Sequence, residues 1–315
     1  MQRNALISVA AGLLSAVLYL STKWSILGAL IFALMSPLPL FAAGLGLGLA
    51  AGVVAALAAT IAVALVADFT GMVIFVIAYA VPPLMVVRFA LLNRMAEDGT
   101  TSWYPPGLLL AWIALYGILA FMAAAVFTGT GTGGLRAEIS GYVDTMRGLI
   151  VEQGQSSTSV DQVFATVKLI FPFIVTTWWM IIMVVNGVLA QRMLERRGWN
   201  KRPGPDLRTT ALPLWPAGVI VAATVAALLG SGWLEFLGSN IALILCVPYF
   251  FVGLAVLHTV SAAWSSKKAI LFAAYVLLLL FSWTAVVVAG IGVLEHWTGL
   301  RDRFGGPNRS HERKE

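Results

Sequence analysis

The side chains best placed to do chemistry are the polar and aromatic ones inside apolar runs: Tyr79, Thr176, Thr177, Trp178, Trp179 and Asn186. A carboxamide or hydroxyl deep in an apolar run is costly unless it bonds across helices or lines a cavity. Asn186, the deepest, therefore reads either as glue between helices or as part of a ligand site. Trp178 and Trp179 lie too far from either end of their run for an interfacial belt, so their rings either stack on a planar ligand or pack in the core. These six residues form the candidate ligand-binding set.

Other chemistries find no residues to carry them. Gly46, Gly48 and Ala51, with Asp68 about twenty residues on, have the spacing of a dinucleotide fingerprint, as do Gly129, Gly131 and Gly134. Neither set has the preceding strand or βαβ context that gives such a loop its phosphate-binding geometry. No Walker lysine, metalloprotease helix, acidic pair within a span or nucleophile beside a histidine is present, so no catalytic residue is assigned and no enzyme is expected. His258, His296 and His311 are too scattered for a metal site, and no cofactor is expected. The single Cys246 lies in an apolar run, as a buried small hydrophobe would.

The elements that must position the six residues follow from composition. Of 315 residues, 60% are hydrophobic and 11% charged, with a mean hydropathy of +0.90. A soluble domain is about 25% charged, so hydrocarbon is the solvent for most of this chain. The expected fold is an all-α polytopic integral membrane bundle with eight or nine hydrophobic segments. The formal charge of +6 sits in short connections between apolar runs. Topology and the anionic lipid of the bilayer explain it better than nucleic acid does.

Arg3 precedes a first apolar stretch, residues 5–20, which reads as a retained helix. A second stretch, 24–35, is too short to cross upright and reads as half-spanning or re-entrant, ending at Pro37 and Pro39. Residues 37–66 then read as one long helix with Gly44, Gly48, Gly52, Ala56 and Thr60 on one stripe. Such a stripe lets another backbone approach, within the bundle or on a partner. Ala11, Gly12, Ser15 and Ala16 give the first helix a similar face. Residues 72–92 form a span that Pro82 and Pro83 should kink or interrupt.

A polar connection at 93–104 leads to a helix from Pro105 and Pro106 to about residue 127. Leu135, Ile139, Tyr142, Met146, Leu149 and Ile150 then recur at helical spacing with charges between them. They predict an amphipathic segment, 135–152, lying on the membrane or closing over the bundle. Residues 160–196 read as one long helix that tilts, kinks at Pro172 or projects. It runs into a basic loop, 192–208, carrying Arg192, Arg196, Arg197, Lys201, Arg202 and Arg208. The positive-inside rule places that loop in the cytoplasm and the amphipathic segment outside. Further apolar segments at 215–232, 241–258 and 269–294 complete a membrane domain spanning 1–294, followed by a polar tail, 295–315. Lys267 and Lys268 before the last segment compete with Arg301 and Arg303 after it, and a cytoplasmic tail is favoured.

A resemblance joins these features. Residues 37–41 leading into the glycine stripe, Arg88 to Arg94 with the following 103–107 stretch, Phe171-Pro172 with Asn186, and Glu295 to Trp297 with Arg301 and Arg303 together resemble the YybS-like family. Its members are bacterial inner-membrane proteins of unknown function, so the resemblance implies a multi-pass protein of the bacterial inner membrane. That family is grouped by remote similarity with the S components of energy-coupling-factor transporters. The resemblance therefore implies an S-component-like core, a small-molecule ligand, and a membrane coupling subunit docked on the first helix through Ala11/Ser15 and Gly12/Ala16. On this reading the ligand site opens outward between the Pro82-Pro83 helix and the 178–186 face, with 135–150 as its lid. The competing expectation is a membrane scaffold that recruits a partner through the basic loop.

Overall fold

The computed structural model describes residues 2–21, 31–95, 99–129, 133–152, 158–206, 210–262, 264–281 and 283–304. Most of the expected re-entrant segment, part of the 93–104 connection, Gly131, Arg208 and the tail beyond 304 lie outside the described residues. Among the described residues six helices are long and apolar enough to cross a membrane: Gln2–Leu20, Leu49–Val66, Phe69–Ala90, Pro106–Thr128, Thr158–Arg196 and Trp233–Ser261. Ala33–Leu47 and Trp215–Leu229 are shorter apolar stretches. The chain is an all-α polytopic membrane protein. It divides into two compact units, one of Met1–Ile113 with Trp179–Thr210 and one of Ala114–Trp178 with Ala211–Glu315.

The first unit begins with α1 (Gln2–Leu20), a 3₁₀ turn (Ala33–Met35), α2 (Pro37–Leu47) and α3 (Leu49–Val66). The run expected as one helix over 37–66 is thus two, and Gly48 is the elbow, at φ 109° and ψ 168°. That conformation is open to glycine because it has no Cβ. A single helix of that length would measure about 45 Å, well beyond a hydrocarbon core of about 30 Å. The elbow resolves the mismatch: α2 covers about half the core and α3 crosses it. Gly44 and Gly52, one turn to either side, do not share a stripe but face each other, so that a Cβ on Gly52 would lie 3.2 Å from the Gly44 Cα.

The next crossing is built in three pieces, α4 (Phe69–Phe75), a π turn (Val76–Ala80) and α5 (Val81–Ala90). Asp68 caps α4 by accepting a hydrogen bond from the Gly71 N–H at 3.0 Å. Leu84 and Val87 of α5 fill the space left by Gly52 and Gly44. On α1, a Cβ at Gly12 would collide with the Ala55 carbonyl, so α1 and α3 pack backbone to backbone there. Ser15 and Ser36 lock the same region from within: each hydroxyl donates to the other's carbonyl, at 2.7 and 3.1 Å. A short hairpin, β1 (Asn93–Met95) and β2 (Thr101–Trp103), pairs Arg94 with Ser102 and leads into α6 (Pro106–Thr128).

The second unit holds α7 (Leu135–Glu152), α9 (Trp215–Leu229), α10 (Trp233–Ser261), α11 (Lys267–Leu280), α12 (Trp283–Thr298) and α13 (Leu300–Phe304). The remaining helix, α8 (Thr158–Arg196), contributes to both units, as α6 does. The amphipathic segment forms over the expected residues: Ile139 and Val143 are buried while Tyr142, Met146 and Leu149 are exposed. Lys168 and Arg147 tie α7 to α8 through Asp144 and Asp161, at 2.7 and 2.6 Å.

Glycines again set the closest approach. A Cβ on Gly253 would meet the Val288 carbonyl and one on Gly292 the Tyr249 carbonyl, which makes α10 and α12 an antiparallel pair. The segment expected as one helix over 269–294 is broken at Phe281, where the chain turns extended. None of the α11 residues is buried. Beyond the break α12 runs past residue 294 to Thr298, and Glu295 is buried with its carboxylate 2.6 Å from the Arg301 guanidinium. The expected polar tail therefore starts inside the packed helix.

Candidate functional site

Backbone groups that prolines leave without partners organise the interior of the first unit. In a helix the Ala78 carbonyl would accept from residue 82, and in a π turn from residue 83. Both are prolines, and proline has no N–H to give. Around this gap the chain shifts to the wider register, and the Val81 N–H reaches back five residues to the Val76 carbonyl. The indole of Trp179 supplies the missing donor, its Nε1–H bonding the Ala78 carbonyl at 2.8 Å. Asn186 acts in the same way. In the 3₁₀ turn the Leu34 carbonyl faces Pro37 three residues on, and the Asn186 carboxamide donates to it at 2.8 Å and to Ile182 at 2.7 Å.

Tyr79 lies in the π turn itself. Its ring stacks parallel to Phe75 with centroids 6.3 Å apart and tilts against Tyr19 at 5.3 Å, and the Tyr19 hydroxyl donates to the Gly71 carbonyl at 3.0 Å. Tyr79 and Trp179 therefore meet at one helix break and Asn186 serves another. The N–H groups of Trp179 and Asn186 are committed to carbonyls, which leaves the ring and hydroxyl of Tyr79 for a ligand.

Thr176, Thr177 and Trp178 belong to the second unit. Thr176 is buried, and the Thr177 hydroxyl is buried with no hydrogen-bond partner among the described residues. Trp178 is 54% exposed on its helix surface and is not packed in the core. The small face of α1 is used within the bundle: Gly12, Ser15 and Ala16 are buried and Ala11 half-buried, while Leu6, Leu13 and Val17 face outward.

Two residues are central whose roles the sequence does not show: Asn240, which is not singled out there, and Arg202, which reads only as part of the basic loop. Asn240 of α10 is fully buried. Its Oδ1 accepts from the Phe173 N–H and its Nδ2 donates to the Leu169 carbonyl, each at 2.9 Å. These are the donor and acceptor that an undisturbed α8 would join to one another, and Pro172 sits between them. The carboxamide takes the place of a peptide unit. The sequence signal was an asparagine in an apolar run, missed because that segment was started at residue 241.

Arg202 is the second. It is 5% exposed although it lies in the basic loop. Its Nη1 and Nη2 donate to the Ala90 and Tyr104 carbonyls at 3.1 and 2.9 Å, while its own carbonyl accepts from Gln191 and Asn200. Burial lowers its pKa from the ordinary arginine value, yet a guanidinium stays charged across the accessible range. The loop is thereby fastened to the end of α5 and to the hairpin. Phe89 stacks on both Tyr104 and Trp112 at 5.6 and 5.1 Å, and the Trp112 indole donates to the Tyr104 hydroxyl at 2.7 Å.

Among the described residues no three of His, Cys, Asp and Glu converge where a metal ion could be held. A family model described as a predicted membrane protein matches residues 13–295. No curated protein and no solved structure matches the chain.

Proposed function

The chain belongs to the DUF2232 family of predicted membrane proteins, and we propose that it captures or moves a small molecule across the bacterial inner membrane. The observation that carries this reading is the broken-helix construction of the first unit, with a half-length α2 that opens from the 3₁₀ turn Ala33–Met35 and a π turn at Tyr79 in the neighbouring crossing. Irregular backbone at membrane depth is tolerated where it is buried in protein or lines a cavity. Interrupted helices of this kind are where transport proteins place their ligand sites. Because the nearby N–H donors are already used and Phe75 is fully buried, the ligand contacts available are the half-buried rings of Tyr79 and Tyr19 and the Tyr79 hydroxyl, which suit a molecule with a flat apolar part. The sequence resemblance to the YybS-like family implies the same class of activity. A coupling partner that docks on α1 meets the Leu6, Leu13 and Val17 face, since the small residues are covered by the chain itself.

The test is native mass spectrometry of the full chain extracted from its own membranes. The expected result is a retained small molecule whose occupancy falls about tenfold in Tyr79→Leu, equivalent to about 1.4 kcal/mol, with thermal stability little changed. A wild-type protein that retains nothing, or a Tyr79→Leu variant with unchanged occupancy, overturns the reading.

A further inference from the structure

We propose that the basic end of the first unit is a binding surface for anionic phospholipid headgroups. This inference is independent of the capture reading and assigns the loop to lipid rather than to a recruited soluble protein. Helix α8 ends there in a Schellman turn: Gly198, at φ 66°, donates to the Glu195 carbonyl at 3.0 Å and Trp199 to the Leu194 carbonyl at 2.9 Å. Leu194 packs on Gly46, and the Lys201 stem crosses the bare backbone of the Gly48 elbow, with Cε 3.6 Å from where a Cβ would stand. The loop thus lies against the end of two apolar helices, at the level where hydrocarbon gives way to headgroups, and the buried Arg202 holds it in one shape.

What this fixed loop presents outward is basic and aromatic. Arg192, Arg196, Arg197 and Lys201 are exposed, and none of them forms an ion pair among the described residues. Trp199 is 63% exposed beneath the Arg197 guanidinium, 5.7 Å from the ring centroid. An amphipathic indole with long cationic stems is the combination that settles at a headgroup layer. Arg88 and Arg94 add charge from the segments that Arg202 clamps. The described acids at this end are Glu195 and Asp206, and the Glu195 carboxylate is turned back on Gln191 and Gly204. A preorganised cluster of uncompensated cations facing a leaflet is complementary to lipid phosphate and gains roughly fivefold in affinity per basic residue.

The experiment uses the full chain with vesicles and detergent exchange, comparing phosphatidylglycerol with phosphatidylcholine. Wild-type protein is expected to keep phosphatidylglycerol through delipidation in native mass spectra while losing phosphatidylcholine, and to melt higher with phosphatidylglycerol at low salt. The triple variant Arg196→Gln, Arg197→Gln, Lys201→Gln should lower phosphatidylglycerol retention at least about tenfold with an unchanged melting temperature in phosphatidylcholine. Arg196→Lys with Arg197→Lys should keep the retention. Equal retention of the two lipids by wild type, undiminished phosphatidylglycerol in the triple variant, or capture of an acidic soluble protein on the loop without any lipid preference overturns the proposal.

Discussion

Each unit contains a membrane helix whose hydrogen-bond ladder is interrupted by proline, and the two gaps are mended differently. In the first unit Pro82 and Pro83 leave the Ala78 carbonyl without a donor, and Trp179 supplies one N–H at 2.8 Å. In the second, Pro172 disturbs α8 and Asn240 answers an N–H and a carbonyl together, at 2.9 Å each. An indole only donates, whereas a carboxamide both donates and accepts. The tryptophan therefore closes one orphaned acceptor, and the asparagine stands in for a whole link of the helix ladder. In hydrocarbon no water can take over either task, so much of the polar chemistry at depth is spent on backbone.

The largest expected effect comes from removing the two-sided repair. Asn240→Leu strips a fully buried group of three hydrogen bonds, two of them to α8, and leaves the Phe173 N–H and the Leu169 carbonyl facing apolar atoms. A loss of about 3 kcal/mol is expected, read as a lower midpoint of reversible unfolding in mixed detergent micelles. Combining it with Pro172→Ala should recover part of that loss, because an alanine N–H restores a regular α8. Simple additivity would show that Asn240 is not mending the proline gap.

Trp179→Phe should cost less, about 1.5 kcal/mol, since the ring is kept and only one donor is lost. Here too the comparison can be broken by the second substitution. Pro82→Ala returns an N–H four residues after Ala78 and should make Trp179→Phe nearly silent. If Trp179→Phe is as harmful in the Pro82→Ala background, packing of the indole and not its hydrogen bond is what the first unit needs. Asn186→Ala is expected to fall just below this, at about 1 kcal/mol, because the Leu34 carbonyl it serves lies in a turn that can relax.

How much of this was legible depended on whether the signal was local. Hydropathy located the crossings because every backbone group in lipid must be satisfied within a helix, and that demand writes long apolar runs into the sequence. The amphipathic 135–152 helix was legible for the same reason, from spacing alone. Gly48 was visible as a small residue, but whether it serves a stripe or an elbow depends on what packs against Gly44 and Gly52, which are eight residues apart and meet only when the chain doubles back. Tyr79, Trp179 and Asn186 were recognised as costly at depth. Their partners, Ala78 and Leu34, could be inferred only by asking which carbonyls the prolines orphan and which helix comes near. Asn240 and Arg202 escaped because an asparagine at a run's edge and an arginine in a basic loop look solvated until the fold covers them.

The smallest effect should come from the outer fastening of the second unit, and it sharpens what the interior repair is worth. The Arg147 guanidinium meets the Asp161 carboxylate at 2.6 Å, but both side chains are well exposed, at 41% and 56%. Water and salt screen such a pair, and ordering two long side chains offsets much of the attraction. Asp161→Asn is accordingly expected to change unfolding by no more than about 0.5 kcal/mol, and that difference should vanish in high salt. A salt-insensitive loss as large as that of Asn240→Leu would mean that α7 is held to α8 mainly from outside. The carboxamide beside Pro172 would then be following the position of the helix rather than fixing it.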